Sequence, residues 1–289
     1  MKKFFSAITM TLLTSALLVS QTTVAQAEGD APRVQVKAEQ DLVDLPFDIN
    51  LYPENYVDLN SKGEGLDSEE QGLLDSKGKD KAWIQYSNLD AMGRGQEGHA
   101  LITYNTVLTR SAAYMKKNGI LYGDKKIFKR PGFPSYVHVA GEYADGVFDK
   151  SKQRWKGTKK NNEQVTFKTG KGGAFYNKSH TIAWSLGGDM ETHNVTLGTR
   201  AQNVGSGNKG GMAYAEHMVR DTVNAQQETK IYYHVEPMYK GSELVPRGSR
   251  VRAYSVNDNG KTVNLDIWVF NTQDGFLVDY LTGAFSEAS

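Results

Sequence analysis

Hydrophobic patterning is clearest in the last third of the chain. "KIYYHVEPMY", "RVRAYSVND", "TVNLDIWVFNT" and "FLVDYLTGAF" are short runs rich in β-branched and aromatic residues with polar breaks between them, and each predicts a strand. Asn259-Gly260, between the second and third runs, is the pair that a type I′ hairpin turn favours, so those two strands are expected to be neighbours. Upstream, "HALITYNTVLT" (His99 to Thr109) has the same β-prone content, and "VTFKTGKGGAFYNKSH" reads as strand, glycine turn, strand. "KGGMAYAEHMVRDTVNAQQE" (Lys209 to Glu228) is different. Met212, Ala215, Val219 and Val223 recur at near-helical spacing with no Gly or Pro after Gly211, which predicts a helix. The sum is an α+β fold: a mostly antiparallel sheet with a few helices placed mid-chain and no internal repeat.

Polar composition adds boundaries to that pattern. Lys2-Lys3, an apolar stretch from Phe4 through Val19 and a small-x-small Ala25-Gln26-Ala27 predict a secretory signal peptide over residues 1–27. Nothing later is long and apolar enough to suggest a membrane-spanning helix, so the chain is expected to act outside the cell, as a monomer, without a membrane partner. Residues 28–80 are acidic and poor in apolar clusters. They read as an extension ordered only in part, with Ser61 to Lys81 a loop or linker and "DLPFDINLY" able to pack one strand or turn onto the main domain, residues 81–289. The sequence holds no cysteine, so stability outside the cell must come without disulfides. "LVPRGS" (Leu244 to Ser249) spells a familiar protease-tag sequence, but it lies between two predicted strands and reads as native chain.

Net charge excludes a global attraction for polyanions. The formal charge is +1, and removal of Lys2 and Lys3 with the leader takes it to −1. Any polyanion would have to be held by local patches. One is visible: Lys150, Lys152, Arg154, Lys156, Lys159, Lys160, Lys168, Lys171 and Lys178 stand in a run whose only acid is Glu163. It is either a solvated loop or a docking surface.

The chemistry centres on "FYNKSHTIAWSLGGD" (Phe175 to Asp189), where His180 closes a β-prone run shortly before a Gly187-Gly188 break. The six histidines show no H-x-x-x-H or HExxH spacing, so a zinc site is not expected. After His180 come Asn194, Arg200, Asn203 and, on the predicted helix, Glu216. Each alone reads as a turn, cap or surface residue. Together they run from a strand end, through a loop, onto a helix.

"NKSHTIAWSLGG", "NVTLGTRAQNVG", "KGGMAYAEHMVR" and "YYHVEPMYKGSELVPRG" together resemble the secreted streptococcal DNases, within the DNA/RNA non-specific endonucleases that have a ββα-metal active site. The resemblance spans roughly Trp83 to Tyr280 and is densest from Tyr176 to Arg247. It implies a ββα-metal nuclease core and a set of roles. His180 falls on the general base, Asn203 on the ligand of a single divalent metal, and Asn194 on a second active-site asparagine. Glu216 falls on the helical carboxylate that orients metal-bound water, Lys178 on the basic residue two places before the histidine, and Arg94 in "LDAMGRG" on an arginine that contacts substrate phosphate. Two positions depart from the wider pattern: Asn-Lys-Ser-His stands in place of Asp-Arg-Gly-His, and Trp184 stands where an aspartate is commoner.

Phosphodiester hydrolysis needs these residue types. Neutral imidazole accepts a proton near neutral pH, which makes His180 a base and not a metal ligand. Mg2+, with Mn2+ or Ca2+ as further candidates, prefers oxygen ligands and keeps several waters, which suits an Asn203 carbonyl backed by Glu216. Arg200 and Lys178 would offset charge on the phosphate, with Lys168, Lys171 and Arg94 binding the substrate backbone. No groove-reading helix or RNA-binding sheet motif is present, so the expected substrate is DNA, with RNA a second candidate, held through phosphates and cut without sequence preference. A secreted binding protein on a nuclease-like scaffold is the competing reading.

Overall fold

Strands buried on both faces need two coverings, and this chain supplies one from the segment before residue 80 and the other from a helix at residues 211–225. A computed structural model describes residues 39–59, 64–120, 130–205 and 210–288; the leader expected over 1–27 lies outside the described residues. The described chain begins with a 3-10 turn (Glu39–Asp44), β1 (Tyr56–Asp58), α1 (Ser68–Lys77), β2 (Trp83–Tyr86), β3 (Gly98–Ile102), α2 (Tyr104–Arg110) and α3 (Ala112–Lys117). Two small hairpins follow, β4 (Val147–Asp149) with β5 (Arg154–Lys156), and β6 (Gln164–Thr166) with β7 (Gly172–Ala174). Then come β8 (Tyr176–His180), β9 (Val195–Thr199), α4 (Arg200–Val204) and α5 (Gly211–Ala225). Three long strands, β10 (Ile231–Met238), β11 (Gly248–Ser255) and β12 (Asn264–Phe270), precede a last hairpin of β13 (Phe276–Val278) and β14 (Phe285–Glu287).

The main sheet has the order β1-β12-β11-β10-β3-β2, and every pairing in it is antiparallel. Alternation along its strands separates two cores. Ile231, Tyr233, Val235, Val251, Ala253, Ile267 and Val269 meet Met212, Ala215, Val219 and Val223 of α5 on one face. On the other, Trp268 and Phe270 pack with Leu42, Val43 and Tyr52, while Leu101 and Tyr232 pack with Leu74 of α1. Each fully buried side chain of this size contributes about 1.5–3 kcal/mol, so the covering before residue 80 is part of what holds the sheet. A third cluster anchors the β8–β9 hairpin: Phe175 stacks on Phe285 with centroids 3.8 Å apart, beside Val195, Leu197 and Val245.

Several local expectations need correcting. The run His99–Thr109 is not one strand. β3 ends at Ile102, and Thr103 caps α2, its hydroxyl accepting from Thr106 N at 3.4 Å while the Thr106 hydroxyl accepts from Thr103 N at 3.3 Å. The expected linker contains α1, capped by Asp67, whose carboxylate accepts from Glu69 N and Glu70 N at 3.0 and 2.9 Å. Its acids lie where a helix N-terminus favours negative charge. Glu70 is 1% exposed and meets Arg252 at 2.6 Å and His234 at 2.9 Å. The acidic segment therefore places these charges on the basic groups of the sheet. β11 and β12 are neighbours as expected, but a longer loop, residues 256–263, joins them in place of a two-residue turn, with Asn259 and Gly260 inside it at positive φ (56° and 76°). Leu244 to Ser249 is integral chain: Val245 is fully buried, the Pro246 carbonyl accepts from Asn271 Nδ2 at 2.9 Å, and Gly248 opens β11.

Candidate active site

β8 and β9 form a two-stranded hairpin whose register pairs His180, the last residue of one strand, with Val195, the first of the other. β9 passes directly into α4, because the Thr199 hydroxyl accepts from Gln202 N at 3.0 Å and caps the helix that carries Asn203. α4 then packs end-on against the start of α5, which carries Glu216. Gly211 makes that junction possible: it sits at φ 57°, and a Cβ there would lie 2.2 Å from the Gln202 carbonyl oxygen. α4 touches both β8 and α5, so the segment carrying Asn203 lies between those carrying His180 and Glu216.

His180 stacks on Phe133 with centroids 5.1 Å apart, donates to the backbone carbonyl of Asp189, and places Nε2 3.3 Å from Met190 Sδ. Burial and the Arg130 guanidinium push the imidazole down to about 4, with Asp189 countering only in part. The ring is neutral at neutral pH. Glu216 shows the opposite perturbation. Burial pushes its carboxyl up to about 7, against the pull of Arg220 and Arg130. Arg130 therefore acts on both groups, and Glu216 also raises Tyr233, whose buried hydroxyl has no hydrogen-bond partner among the described residues. Arg130 was missed by sequence reasoning, since nothing in "KRPG" distinguishes it from a surface charge. For a divalent cation, the Asn203 carboxamide and Glu216 carboxylate offer the oxygen donors that Mg2+ prefers, and a cation beside Glu216 would hold it ionised.

The Gly-Gly break has a steric cause. A Cβ on Gly188 would stand 1.8 Å from the Ile182 carbonyl oxygen, so only glycine lets the loop fold back on itself. Asn194, fully buried, clamps that loop. Its Oδ1 accepts from Ile182 N at 2.7 Å, and its Nδ2 donates to the carbonyls of Ile182 and Asp189 at 2.9 Å each. It thus shares the Asp189 carbonyl with His180, and its contacts are with backbone. The Asp189 carboxylate is held by His193 at 2.8 Å. Trp184 lies in the 3-10 turn just before the glycines, under the Arg110 guanidinium at 3.7 Å, and Arg110 donates to the Gly187 carbonyl at 2.9 Å. At this position an aromatic face steadies the turn.

The basic candidates divide. Lys168, Lys171 and Arg200 line one cleft of about 580 Å³ together with Asn177; His180 and Glu216 are not among its lining residues. Lys168 pairs with Asp274 at 2.8 Å and stays exposed. Lys178 is drawn inward, donating to the Val137 carbonyl and standing 3.5 Å from buried Glu142. Arg94 differs most from expectation. It donates to Asp90 at 2.6 Å and to the Gly241 and Glu243 carbonyls at 2.8 and 3.0 Å, and it stacks over Tyr239, so its fork joins two loops and is not presented to a phosphate.

This arrangement, a β-hairpin ending in a histidine and followed by a carboxylate-bearing helix, is that of the ββα nucleases. Residues 144–257 match the DNA/RNA non-specific endonuclease family, a span that contains His180, Asn194, Asn203 and Glu216 and leaves out Arg94 and Arg130. A deoxyribonuclease from Streptococcus dysgalactiae subsp. equisimilis is 37% identical over 127 residues, 43% of this chain. The matched region spans only 38% of that relative's length. Among solved structures, the Sda1 nuclease with a bound zinc ion superposes with a TM-score of 0.62 at 26% identity, over 84% of this chain and 100% of that one. NucA from Streptococcus agalactiae with a magnesium ion bound shares the fold, with a TM-score of 0.54 at 21% identity over 86% and 95% of the two chains. The segment that matches this family, residues 144–257, lies within the α+β fold shared with the Sda1 nuclease.

Proposed function

We propose that the protein is a secreted, metal-dependent endonuclease that hydrolyses phosphodiester bonds of extracellular DNA through the phosphate backbone. The observation that carries this reading is His180, held neutral and anchored to the Asp189 carbonyl at the end of β8, inside the segment that matches the endonuclease family. A neutral imidazole fixed through one nitrogen is suited to take a proton from attacking water.

The remaining roles follow from the chain's own contacts. Asn203 and Glu216 supply the oxygen donors for a divalent cation, with Mg2+ the best match to that donor set. Held there, such a cation would supply positive charge opposite the phosphate and the leaving 3′ oxygen. Burial, and after it Arg130, keeps the imidazole neutral, and Arg130, which also acts on Glu216, adds positive charge at the same place. Asn194 positions the loop whose carbonyl orients His180 and makes no contact that would transfer a proton. Arg200, Lys168 and Lys171 supply positive charge along the neighbouring cleft, where phosphates of a bound strand would lie. Lys178, paired with Glu142, supports the Phe133 wall behind His180, its ammonium 5.7 Å from that ring.

Secretion rests on the leader-like pattern of residues 1–27. The test is digestion of plasmid DNA and of RNA by the purified chain, with Mg2+ and with EDTA. Cleavage of DNA that stops on chelation is expected. Intact DNA in Mg2+ would favour a binding protein on this scaffold, and cleavage surviving EDTA would remove the metal from the reading.

A further inference from the structure

Residues 145–160 fold into one anchored basic face. Six exposed cations, Lys150, Lys152, Arg154, Lys156, Lys159 and Lys160, stand there against two acids, Asp145 and Asp149. The segment is formally +4 in a chain that is +1 as a whole. β4 and β5 pair with Phe148 opposite Trp155, and the buried Trp155 indole donates to the Gly93 carbonyl at 2.7 Å. Strand alternation then turns Arg154 and Lys156, on either side of Trp155, outward.

Both acids are engaged in shaping the loops. Asp145 accepts from Thr158 N, Thr158 Oγ1 and Lys159 N at 2.8, 2.6 and 2.8 Å. Asp149 accepts from Ser151 Oγ at 2.7 Å and from Lys152 N and Lys156 Nζ at 3.2 Å each. Among the described residues, Lys156 alone of the six cations pairs with a carboxylate. A face held this firmly presents its charges at fixed places, which lowers the ordering cost of engaging a partner.

Position relative to His180 identifies the partner. The Arg154 guanidinium lies over the Tyr136 ring at 4.1 Å, and the Tyr136 hydroxyl donates to Glu191 at 2.8 Å. Glu191 follows Met190, whose Sδ stands 3.3 Å from His180 Nε2. Along these contacts Arg154 is at most about 25 Å from the imidazole, the length of about seven base pairs at about 3.4 Å each. A duplex with one phosphate at His180 therefore has others within reach of this face. We propose that the β4–β5 face docks the backbone of the same DNA duplex that is cut at His180, and so makes long duplex DNA a better substrate than short fragments. The proposal rests on the nuclease reading and adds to it a surface apart from both the catalytic centre and the cleft at Arg200. Evenly spaced phosphates suit mobile lysines on a fixed hairpin, because such contacts release counterions and need no sequence register.

The experiment measures binding of the full chain to a duplex of about 40 base pairs in EDTA, by fluorescence anisotropy over a salt series. Lys150→Gln, Lys152→Gln and Lys159→Gln together should lower the slope of log affinity against log salt by about 3. Lys77→Gln, Lys79→Gln and Lys81→Gln together remove the same charge at and just beyond the end of α1, which covers the other face of the sheet, and should leave the slope as in wild type. In Mg2+ the hairpin triple should cleave the long duplex with a raised KM and an undiminished kcat, and the advantage of that duplex over one of about 6 base pairs should shrink. Equal slopes for the two triples, or a hairpin triple with the slope and KM of wild type, overturns the proposal. Weakened binding of heparin by the hairpin triple with DNA binding unchanged overturns it too, in favour of another polyanion. Failure of the wild type to cleave DNA in Mg2+ would instead strike the nuclease reading, and the slopes measured in EDTA would show that separately.

Discussion

Replacing Glu216 by glutamine removes a carboxyl that burial has raised from 4.5 to about 7. In the unfolded chain this group ionises near its ordinary value. Between about pH 4.5 and pH 7 the folded protein therefore holds a proton that the unfolded chain has released, and stability falls as pH rises through that window. At about 1.4 kcal/mol per pH unit separating the two values, the full cost above pH 7 is about 3 kcal/mol. Glutamine has the same shape and no charge to desolvate. In EDTA at pH 8, Glu216→Gln should be more stable than wild type by up to about 3 kcal/mol, and at pH 5 the two should agree within about 1 kcal/mol. Urea denaturation at the two pH values measures this directly, and thermal melting should follow at about 2–4 °C per kcal/mol for a domain of this size. DNA cleavage by the same variant should fall by about 100-fold or more. Added Mg2+ should narrow the stability gap by holding the wild-type carboxylate ionised. A variant no more stable at pH 8, or a gap equal at both pH values, would refute the assignment of Glu216 as a desolvated functional carboxyl.

Other outcomes follow from named contacts. Asn194→Ala strips three hydrogen bonds from buried backbone, which should cost about 3–5 kcal/mol in urea denaturation; in steady-state kinetics it should lower kcat more than it raises KM, because the carbonyl that anchors His180 loosens. Lys168→Ala with Lys171→Ala should raise KM, keep kcat, and reduce the slope of log affinity against log salt by about 2, as measured by cleavage over a salt series. An unchanged slope would take the cleft at Arg200 out of the substrate path. The acid limb of the pH–rate profile should follow Glu216 and not His180, since the imidazole stays neutral down to about 4; Glu216→Gln should therefore lose that limb in a profile of residual activity.

Much of the fold was legible because its signals are local. Alternation in β10 to β12, Asn259-Gly260 and the spacing of Met212, Ala215, Val219 and Val223 each determine geometry within a few residues. Where local signals conflict, the reading failed. Tyr104, Thr106 and Val107 are β-prone, yet the Thr103–Thr106 cap and packing of Val107 in the core with α5 make that run a helix. The acidic composition around Asp67 and Glu70 hid a capping box and a buried carboxylate whose partner, Arg252, lies far along the chain. The same limit applies to the site. His180, Asn203 and Glu216 lie on β8, α4 and α5 within about forty residues and stand out as an ordered series. Arg130 acts on His180 and Glu216 from a separate loop, and the Arg94 fork is engaged by the Gly241 and Glu243 carbonyls, far along the chain. His234 joins Glu97 and His99, which are two residues apart in sequence, only through the pairing of β10 with β3, which no spacing reveals.

The central claim is that a neutral imidazole at position 180 removes the proton from attacking water. The most direct measurement is plasmid cleavage by folded His180→Gly in Mg2+, with and without added imidazole. Cleavage should be lost while the fold, followed by circular dichroism, is kept, and free imidazole should restore part of the activity. Undiminished cleavage by His180→Gly without imidazole would contradict the account.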